Sequence, residues 1–254
     1  MPRSGSQPRL SRRLGAPVLV PAGLALAAAV AAWAFHDRLQ GIGSGLSPES
    51  PDTQIRRALA AQTRAHLDDV YGFRAGGTAE LVPVRFRDVV TSVEGERATV
   101  VAMLDAEGRV TWRDQAADLS YLGRERFHMR PCRIALWCGE GDQFERLREV
   151  LRVLFRRLDA FQARDAVAYA GLVSQRYQDR GLERRALLER VAADFRDGPE
   201  AAVRVLAWQI RVERDRAEVG EDYRVAVAGR EPSRLRALLR LEREGERWVF
   251  AGGL

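Results

Sequence analysis

The longest apolar segment of the chain lies near its N-terminus, where residues 14–35 contain no charged side chain. A helix of about 20 such residues crosses the hydrocarbon core of a bilayer. The segment therefore predicts a transmembrane helix over 15–35, preceded by a short tail over 1–14. The small residues of Ala32-Trp33-Ala34 also fit a signal-peptide cleavage site, so a cleaved signal peptide is the alternative. Both alternatives export the rest of the chain.

The tail over 1–14 is basic and has no acidic residue. Its charged residues are Arg3, Arg9, Arg12 and Arg13. Because positive residues beside a span favour the cytoplasmic side, we expect a cytoplasmic N-terminus and a helix in the inner (cytoplasmic) membrane. The bulk of the chain is then periplasmic, or extracytoplasmic in general. Residues 36–50 are rich in Gly, Ser and Pro, which predicts a flexible linker.

The pattern after the linker is first helical and then alternating. Ser50-Pro51 resembles a helix N-cap followed by proline at the first helical position, and the apolar spacing predicts that this helix continues to Tyr71. The period then changes to two. Strands are predicted over about 81–93, 97–105, 109–121 and 124–137, with short glycine-containing segments between them.

The second half of the chain repeats this order of helix before strands. Apolar residues three or four apart between Phe144 and Phe161 predict a long helix that starts near Asp142. Further helical segments are predicted to about Val173 and over 182–195. Strands are predicted over 202–213, 216–228, 233–243 and 246–251. The strand over 233–243 alternates cleanly, which indicates an antiparallel strand with one face in water.

The two halves also resemble each other in sequence. Residues 93–100 are similar to residues 212–219, and further short matches occur in the same chain order. Several matches in order indicate a tandem repeat of one structural unit. The alternative is that two antiparallel sheets use the same hairpin chemistry independently.

The charge of the chain is concentrated in the tail. All 41 basic residues are arginine, and the formal net charge is +6. The four arginines of the tail account for four of these charges, so the rest of the chain carries +2. A basic protein is a candidate for nucleic-acid binding, but here the remaining Arg and Asp/Glu residues are interspersed and nearly balanced. We therefore expect no nucleic-acid partner.

The chain has two cysteines, Cys132 and Cys138. In an extended strand their Cα atoms would lie about 20 Å apart, whereas a disulfide needs about 7 Å or less. The residues between them include no Gly, Pro or Asn to favour a turn. The pair can be interpreted as two buried thiols in one strand, or as a disulfide in an exported protein. No histidine lies near the pair at ligand spacing, so no metal site is predicted.

Four segments of the second half, over 155–161, 164–169, 172–181 and 184–191, resemble the nuclear transport factor 2-like (SnoaL-like) superfamily. The resemblance implies an α+β fold in which a cone of helices packs on a strongly bent antiparallel sheet, with a pocket at the open end. Residues 142–254 would form one such domain, and residues 51–138 a degenerate, cystatin-like copy. The expected architecture is a transmembrane helix followed by these two tandem domains.

The pocket candidates follow from this resemblance. In enzymes of the superfamily, acids and tyrosines inside the cone move protons beside a carbonyl, which requires a general base in an apolar cavity. The candidates are Tyr169, Tyr177, Asp179, Trp208, Glu221, Tyr223, Trp248 and Phe250. Glu221 shares a strand face with Val219 and Tyr223, whereas Asp179 lies in a turn, where aspartate is usually solvated. We predict no catalytic residue and no cofactor.

These patterns favour a membrane-anchored extracytoplasmic binding or assembly module that is not an enzyme. Its partner would be a protein or a small apolar ligand, and the fold resemblance adds a homodimer formed through the sheet. The first alternative is an enzyme of the ketosteroid isomerase or polyketide cyclase kind that uses the C-terminal pocket. A structural spacer is the second. A carboxylate that faces the cavity near a tyrosine hydroxyl would favour the enzyme.

Overall fold

The computed structural model describes residues 49–68, 70, 77–133, 136–140 and 143–254. The predicted tail over 1–14 and transmembrane helix over 15–35 lie outside the described residues, as does nearly all of the predicted linker over 36–50. No helix within the described ranges is long and apolar enough to cross a membrane. The membrane anchor therefore stays a prediction.

The first half contains one helix and five strands. These are α1 (Pro51–Ala61), β1 (Ala65–Leu67), β2 (Gly77–Glu94), β3 (Arg97–Trp112), β4 (Gln115–Arg133) and β5 (Leu136–Glu140). The helix begins as predicted, because the Ser50 hydroxyl accepts the Thr53 N–H at 3.3 Å and Pro51 follows it. Its buried residues are Ile55 and Leu59.

Helix α1 is shorter than the sequence predicted. It ends at Ala61, and the next residues form β1, which pairs antiparallel with β2 so that His66 lies opposite Glu80. In β1, Leu67 is buried and His66 is exposed. The apolar residues of β1 happen to continue the three-to-four-residue spacing of the apolar residues in α1. The periodicity alone therefore could not locate the end of the helix. Tyr71, the predicted last residue, lies outside the described residues.

The predicted strand breaks at two glycines were wrong. Strand β3 runs without interruption through Gly108, and β4 runs through Gly123. A Cβ atom at Gly108 would overlap the Glu80 carbonyl oxygen on β2, and one at Gly123 would overlap the Tyr121 hydroxyl. Both glycines therefore mark places where other atoms approach the strand closely. The turn lies between β3 and β4, at Arg113 and Asp114.

The predicted single strand over 124–137 was also wrong. Strand β4 ends at Arg133, and β5 pairs back onto it antiparallel, with Arg130 opposite Cys138. This hairpin brings Cys132 and Cys138 together as a disulfide, with their Cα atoms 5.8 Å apart. Of the two interpretations of the cysteines, the structure therefore has the disulfide.

The second half has the predicted strands. Its elements are α2 (Glu145–Gln162), α3 (Ala166–Ala170), β6 (Gln178–Asp179), β7 (Leu182–Glu183), α4 (Arg184–Asp197), β8 (Ala201–Glu213), β9 (Arg216–Val227), β10 (Ser233–Glu244) and β11 (Arg247–Gly252). The long helix and the four long strands are confirmed. The predicted helical stretch to Val173 is a five-residue helix that ends at Ala170.

The strands of both halves form one sheet. Its order is β1-β2-β3-β4-β8-β9-β10-β11, with β5 also paired to β4. Strands β4 and β8 pair in parallel, with Leu119 opposite Trp208, and the other neighbours are antiparallel. The ring of Phe155 on α2 stacks on Trp112 of β3 at 5.8 Å and meets Trp208 of β8 edge to face at 5.6 Å.

The α+β class is confirmed, and one core extends through both halves. Residues Ser50–Leu254 form a single compact unit. The predicted boundary between 51–138 and 142–254 therefore falls inside that unit, because the edge of β4 is paired with β8 and α2 packs on strands of both halves.

The two similar segments of sequence form matching hairpins. Glu94 lies opposite Arg97 in the first, and Glu213 lies opposite Arg216 in the second. The first turn residue has positive φ in both, 61° at Gly95 and 53° at Arg214. The strand after each turn then buries an alanine and, two residues later, a valine. These are Ala98 and Val100 in the first hairpin and Ala217 and Val219 in the second. The sequence match thus corresponds to a shared local structure.

Candidate active site in the second half

A cavity of about 230 Å³ lies between α2, α3 and the inward faces of β8, β9 and β10. Most of its lining is aliphatic or aromatic. The polar side chains that line it are Arg157, Tyr169, Glu221 and Tyr223. Three of these four were predicted pocket candidates, and Arg157 was not.

The local structure places each of these side chains. On β9, Glu221, Tyr223 and Val225 alternate onto the same face, and Glu221 lies between Trp208 of β8 and Ala237 of β10. Tyr169 lies on α3. This short helix is fixed by Asp165, whose carboxylate accepts the N–H groups of the second and third residues of the helix at 3.0 and 2.9 Å.

Glu221 and Arg157 form a buried ion pair. One amino nitrogen of Arg157 donates to both carboxylate oxygens of Glu221, at 2.5 and 2.6 Å. The indole N–H of Trp208 donates to Oε1 of Glu221 at 2.9 Å. The two charged side chains are 12% and 1% exposed, respectively. The Arg157 guanidinium also lies 5.6 Å from the centre of the Phe250 ring, a cation–π contact.

Burial of the two tyrosines and the charge of Glu221 keep the donors around the cavity protonated. Burial lowers the pKa of Arg157, but the Glu221 carboxylate and neighbouring tyrosines outweigh burial, and the pKa is raised overall. Burial raises the pKa of Tyr169, against the opposing effect of Arg157. Burial and the charge of Glu221 raise the pKa of Tyr223. At neutral pH both tyrosines are therefore hydroxyl donors, not phenolates.

Tyr177 shapes the cavity wall from outside. Its hydroxyl accepts the Leu254 N–H at 3.1 Å and donates to the Leu254 carbonyl at 3.2 Å. Gly253 and Leu254 line the cavity, so Tyr177 holds part of the wall in place. Its own hydroxyl is occupied by these two bonds.

The remaining candidates are structural. The Asp179 carboxylate lies 2.6 Å from the Arg240 guanidinium and does not line the cavity. Trp248 is buried and donates its indole N–H to Glu149 at 2.9 Å. Phe250 is fully buried, and its N–H donates to the Leu172 carbonyl at 2.8 Å. The structure thus brings Tyr169, Glu221 and Tyr223 together at the cavity, with Trp208 and Phe250 behind the ion pair.

A second buried carboxylate, Glu125, was not predicted. It is 1% exposed and accepts the Tyr121 hydroxyl at 2.5 Å. It also accepts the backbone N–H groups of Leu147 and Arg146 at 3.1 and 3.4 Å. It therefore satisfies donors at the start of α2, which have no partner within the helix. Burial raises the pKa of Glu125 despite these hydrogen bonds.

The sequence contained a signal for both missed residues. Glu125 occupies the apolar phase of β4, between Gly123 and Phe127, where an acid is unusual. Arg157 lies three residues after Leu154 and four before Phe161 on the apolar face of α2. A charged residue at such a position requires a buried partner.

In the described part of the chain, no group of three or more His, Cys, Asp or Glu side chains lies close enough to hold a metal ion.

No protein-family model matches this chain, and no curated protein has a matching sequence. Solved structures resemble part of it. A nuclear transport factor 2-like protein of unknown function from Pseudomonas putida is 14% identical, with a TM-score of 0.40, over 44% of this chain and 87% of its own. A putative ketosteroid isomerase from Shewanella frigidimarina is 15% identical, with a TM-score of 0.36, over 40% and 89%.

A protein of unknown function from Mycobacterium tuberculosis is 18% identical, with a TM-score of 0.38, over 43% of this chain and 70% of its own. Of these three, only the Pseudomonas and Shewanella proteins carry a family or activity name, as a nuclear transport factor 2-like protein and a putative ketosteroid isomerase. The likeness extends over less than half of this chain and assigns no activity to it.

Proposed function

We propose that this chain is a membrane-anchored extracytoplasmic binding or assembly module and that its cavity holds a ligand without chemical conversion. The observation that carries the proposal is the state of Glu221. It is the acidic side chain that lines the cavity, and both of its oxygens are bound by Arg157.

A general base needs a lone pair directed at the proton that it removes. The Glu221 carboxylate accepts three hydrogen bonds, two from Arg157 and one from Trp208. Its negative charge is compensated by a guanidinium that is itself buried. The carboxylate is therefore part of the cavity wall and a poor acceptor for a substrate proton.

Two features support the extracytoplasmic location. The uncharged residues 14–35 and the four arginines before them predict a span with a cytoplasmic N-terminus. The Cys132–Cys138 disulfide is the kind of bond that forms and persists in exported proteins. The two observations are independent, since one concerns the tail and span and the other a hairpin of the sheet.

One observation favours an isomerase-like or cyclase-like enzyme as a second candidate. Glu221 lines the same cavity as Tyr169 and Tyr223, which is the combination that the enzyme hypothesis required. For this chemistry a substrate would have to displace Arg157 from at least one carboxylate oxygen. Such a step would break a buried ion pair, which makes binding without conversion the better supported function.

Membrane extraction tests the anchored location. We expect the full-length protein, expressed in a bacterial host, to remain with the membranes after an alkaline carbonate wash and to carry no free thiol. Leu24→Arg with Leu26→Arg places two charges in the span, each costing about 2.5–3.5 kcal/mol at a helix centre, and should release the protein or block its export.

The matched control places the same charges in the linker. Leu39→Arg with Leu46→Arg should leave the protein in the membrane fraction. Release of the wild-type chain by carbonate, or alkylation of both cysteines without prior reduction, would contradict the proposed location. Loss of the N-terminal residues by mass spectrometry would establish the cleaved signal peptide instead of the anchor.

A further inference from the structure

The outer face of the sheet, on the side away from the cavity, carries a row of three arginines. Side chains alternate between the two faces along a strand, so Arg224 points away from the face of Tyr223. Arg204 on β8 lies opposite Arg224 on β9, which in turn lies opposite Arg234 on β10. All three arginines are exposed. Because neighbouring strands lie about 5 Å apart, three positive charges stand side by side.

This row is an exception within the sheet. Charges directly opposite each other on neighbouring strands destabilise the pairing when they are alike and stabilise it when they differ in sign. Elsewhere in the described pairings of this sheet, an arginine lies opposite an acid or an uncharged residue. Arg109, for example, lies opposite Glu80 on one side and Asp118 on the other. The row therefore contains a repulsion that the other arginines of the sheet do not have.

Two of the three guanidiniums have no acidic partner among the described residues. Arg234 donates to both carboxylate oxygens of Asp222, which also lies 3.8 Å from Arg236. The hydrogen bond from Arg234 lowers the pKa of Asp222, so this carboxylate is charged at neutral pH. Arg204 and Arg224 form no ion pair or side-chain hydrogen bond with a described residue. Four arginines and one aspartate leave a local net charge of +3.

A shallow depression with an exposed leucine lies beside the row. Its volume is about 210 Å³, and its lining includes Ala207, Gly220 and Arg236. Leu238 lies opposite Gly220 and is 58% exposed, since glycine has no side chain to cover it. The outer face thus offers a small apolar contact next to the uncompensated charge, a combination that suits a protein partner.

The charge of the row argues against two other occupants. A second copy that docked symmetrically through this face would place the arginines against themselves, so the row disfavours the homodimer expected from the fold resemblance. Nucleic acid is held by contacts to many phosphates, but the chain without its tail carries a net charge of only +2. The excess of positive charge is therefore local, and a local acidic segment complements it.

We propose that the outer face of β8, β9 and β10 docks an acidic helical segment of a partner protein. Its carboxylates bind Arg204 and Arg224, and an apolar side chain packs beside Leu238. Carboxylates four residues apart on a helix lie about 5–6 Å from each other, which is close to the spacing of the arginines. This partner goes beyond the proposed function, because the surface lies on the opposite side of the sheet from the cavity.

The test uses a fluorescent helical peptide of alanine and leucine with a glutamate at every fourth position. The peptide is about 16 residues long, because shorter helices are marginal in water. Fluorescence anisotropy measures its affinity for the full-length protein, beside a peptide with glutamine in place of glutamate. We expect the acidic peptide to bind about tenfold more tightly, since each exposed ion pair contributes about two- to fivefold. Added salt should remove the difference.

Arg204→Gln combined with Arg224→Gln should weaken binding of the acidic peptide about tenfold. The melting temperature of this double variant should stay the same or rise, because the substitutions remove a repulsion between like charges. The matched control is Arg109→Gln with Arg211→Gln, which removes two charges from the same face where each arginine has an acidic partner. The control should leave peptide affinity unchanged.

Several results would overturn the inference. Equal binding of the two peptides, or equal losses in the two double variants, would show that the row is not the docking site. A lower melting temperature in the variant of Arg204 and Arg224 would give the row a structural role. Tighter binding of a DNA oligonucleotide, or a dimer that this variant dissociates, would replace the acidic segment with another occupant. These outcomes leave the membrane extraction untouched, whereas release from the membrane would overturn the proposed location without changing the peptide affinities.

Discussion

Glu125 and Glu221 are both buried residues, 1% and 3% exposed as whole residues, and each carboxylate is surrounded by donors from more than one element. Glu221 on β9 joins the sheet to α2 through Arg157, and it also accepts a hydrogen bond from Trp208 on the neighbouring strand β8. Glu125 joins β4 to the start of α2 through Leu147. Both acids therefore fix the long helix on the sheet, and their removal should affect stability first.

We expect the Arg157–Glu221 pair to be strongly coupled. Arg157→Met leaves a buried carboxylate without its cation, and Glu221→Gln leaves a buried cation without its anion, so each should lower the free energy of unfolding by about 3–5 kcal/mol. The double variant should lose clearly less than the sum of the two single losses. Urea denaturation of the four proteins measures the coupling.

The exposed pair Arg185 and Glu189 provides the control, because both side chains are mostly in water. Arg185→Met and Glu189→Gln should change stability little. Additive losses for Arg157 and Glu221 would show that the ion pair is not the interaction that we describe.

Glu125 gives the protein a pH dependence with a defined sign. Burial raises its pKa in the folded state above the ordinary value of 4.5. The folded state therefore holds the proton more tightly than the unfolded chain does. The stability that this group contributes is fully present below about pH 4.5 and is lost as the pH rises through the raised pKa.

Glu125→Gln should consequently reduce the loss of unfolding free energy that occurs as the pH rises above about 4.5. Tyr121→Phe should shift the loss to higher pH, since the Tyr121 hydroxyl lowers the pKa of Glu125. Urea denaturation at several pH values measures both. An unchanged pH profile in Glu125→Gln would contradict this role.

The sequence allowed one half of the ion pair to be predicted. Glu221 stood out because strand alternation put it on the face of Val219 and Tyr223. Its partner lies 64 residues away on a helix, and no local pattern connects the two. The pairing depends on how α2 crosses the sheet, which is a property of tertiary packing.

At the scale of elements, the strands of the second half were predicted within about two residues, whereas those of the first half were not. The difference lies in the glycines. Gly245 sits at a true turn with φ of 64°, but Gly108 and Gly123 lie within strands. The sequence alone does not distinguish a glycine that is needed for a positive φ from a glycine that is needed because other atoms approach the backbone closely.

Gly108→Ala should therefore be costly. Its Cβ would overlap the Glu80 carbonyl oxygen, which belongs to backbone and cannot rotate away. We expect a loss of about 1–3 kcal/mol or more, as for other overpacked sites. Gly220→Ala on β9 is the control, because the nearest atom would be Gln209 Cβ at 3.5 Å, an ordinary contact.

Thermal unfolding of both variants decides between the two roles of glycine. Equal melting temperatures for Gly108→Ala and Gly220→Ala would contradict the close approach of β2 to β3 at this position.

At the scale of the whole molecule, the parallel pairing of β4 with β8 is the feature that the sequence could not show. Antiparallel hairpins follow from adjacent segments, but this pairing joins strands separated by α2, α3 and α4. It makes one sheet and one core from two similar sets of elements. Sequence similarity between the halves suggested two domains because it carries no information about their mutual contacts.

One core predicts one unfolding transition. Besides Trp33 in the predicted span, tryptophan fluorescence reports on Trp112 and Trp137 in the first half and on Trp208 and Trp248 in the second. Far-UV circular dichroism reports on the whole backbone. We expect the two probes to give coincident urea transitions. Two separated transitions would indicate that the halves are independently stable.

The central claim is that the cavity binds and does not convert its ligand, because Arg157 and Trp208 occupy the Glu221 carboxylate. Proton NMR of cyclohexanone with the full-length protein in D₂O tests it directly. We expect saturation transfer to the ligand, with deuterium incorporation beside its carbonyl no faster than in buffer alone. Incorporation faster than in buffer, and lost in Glu221→Gln, would show that Glu221 removes a proton and would establish the enzyme instead.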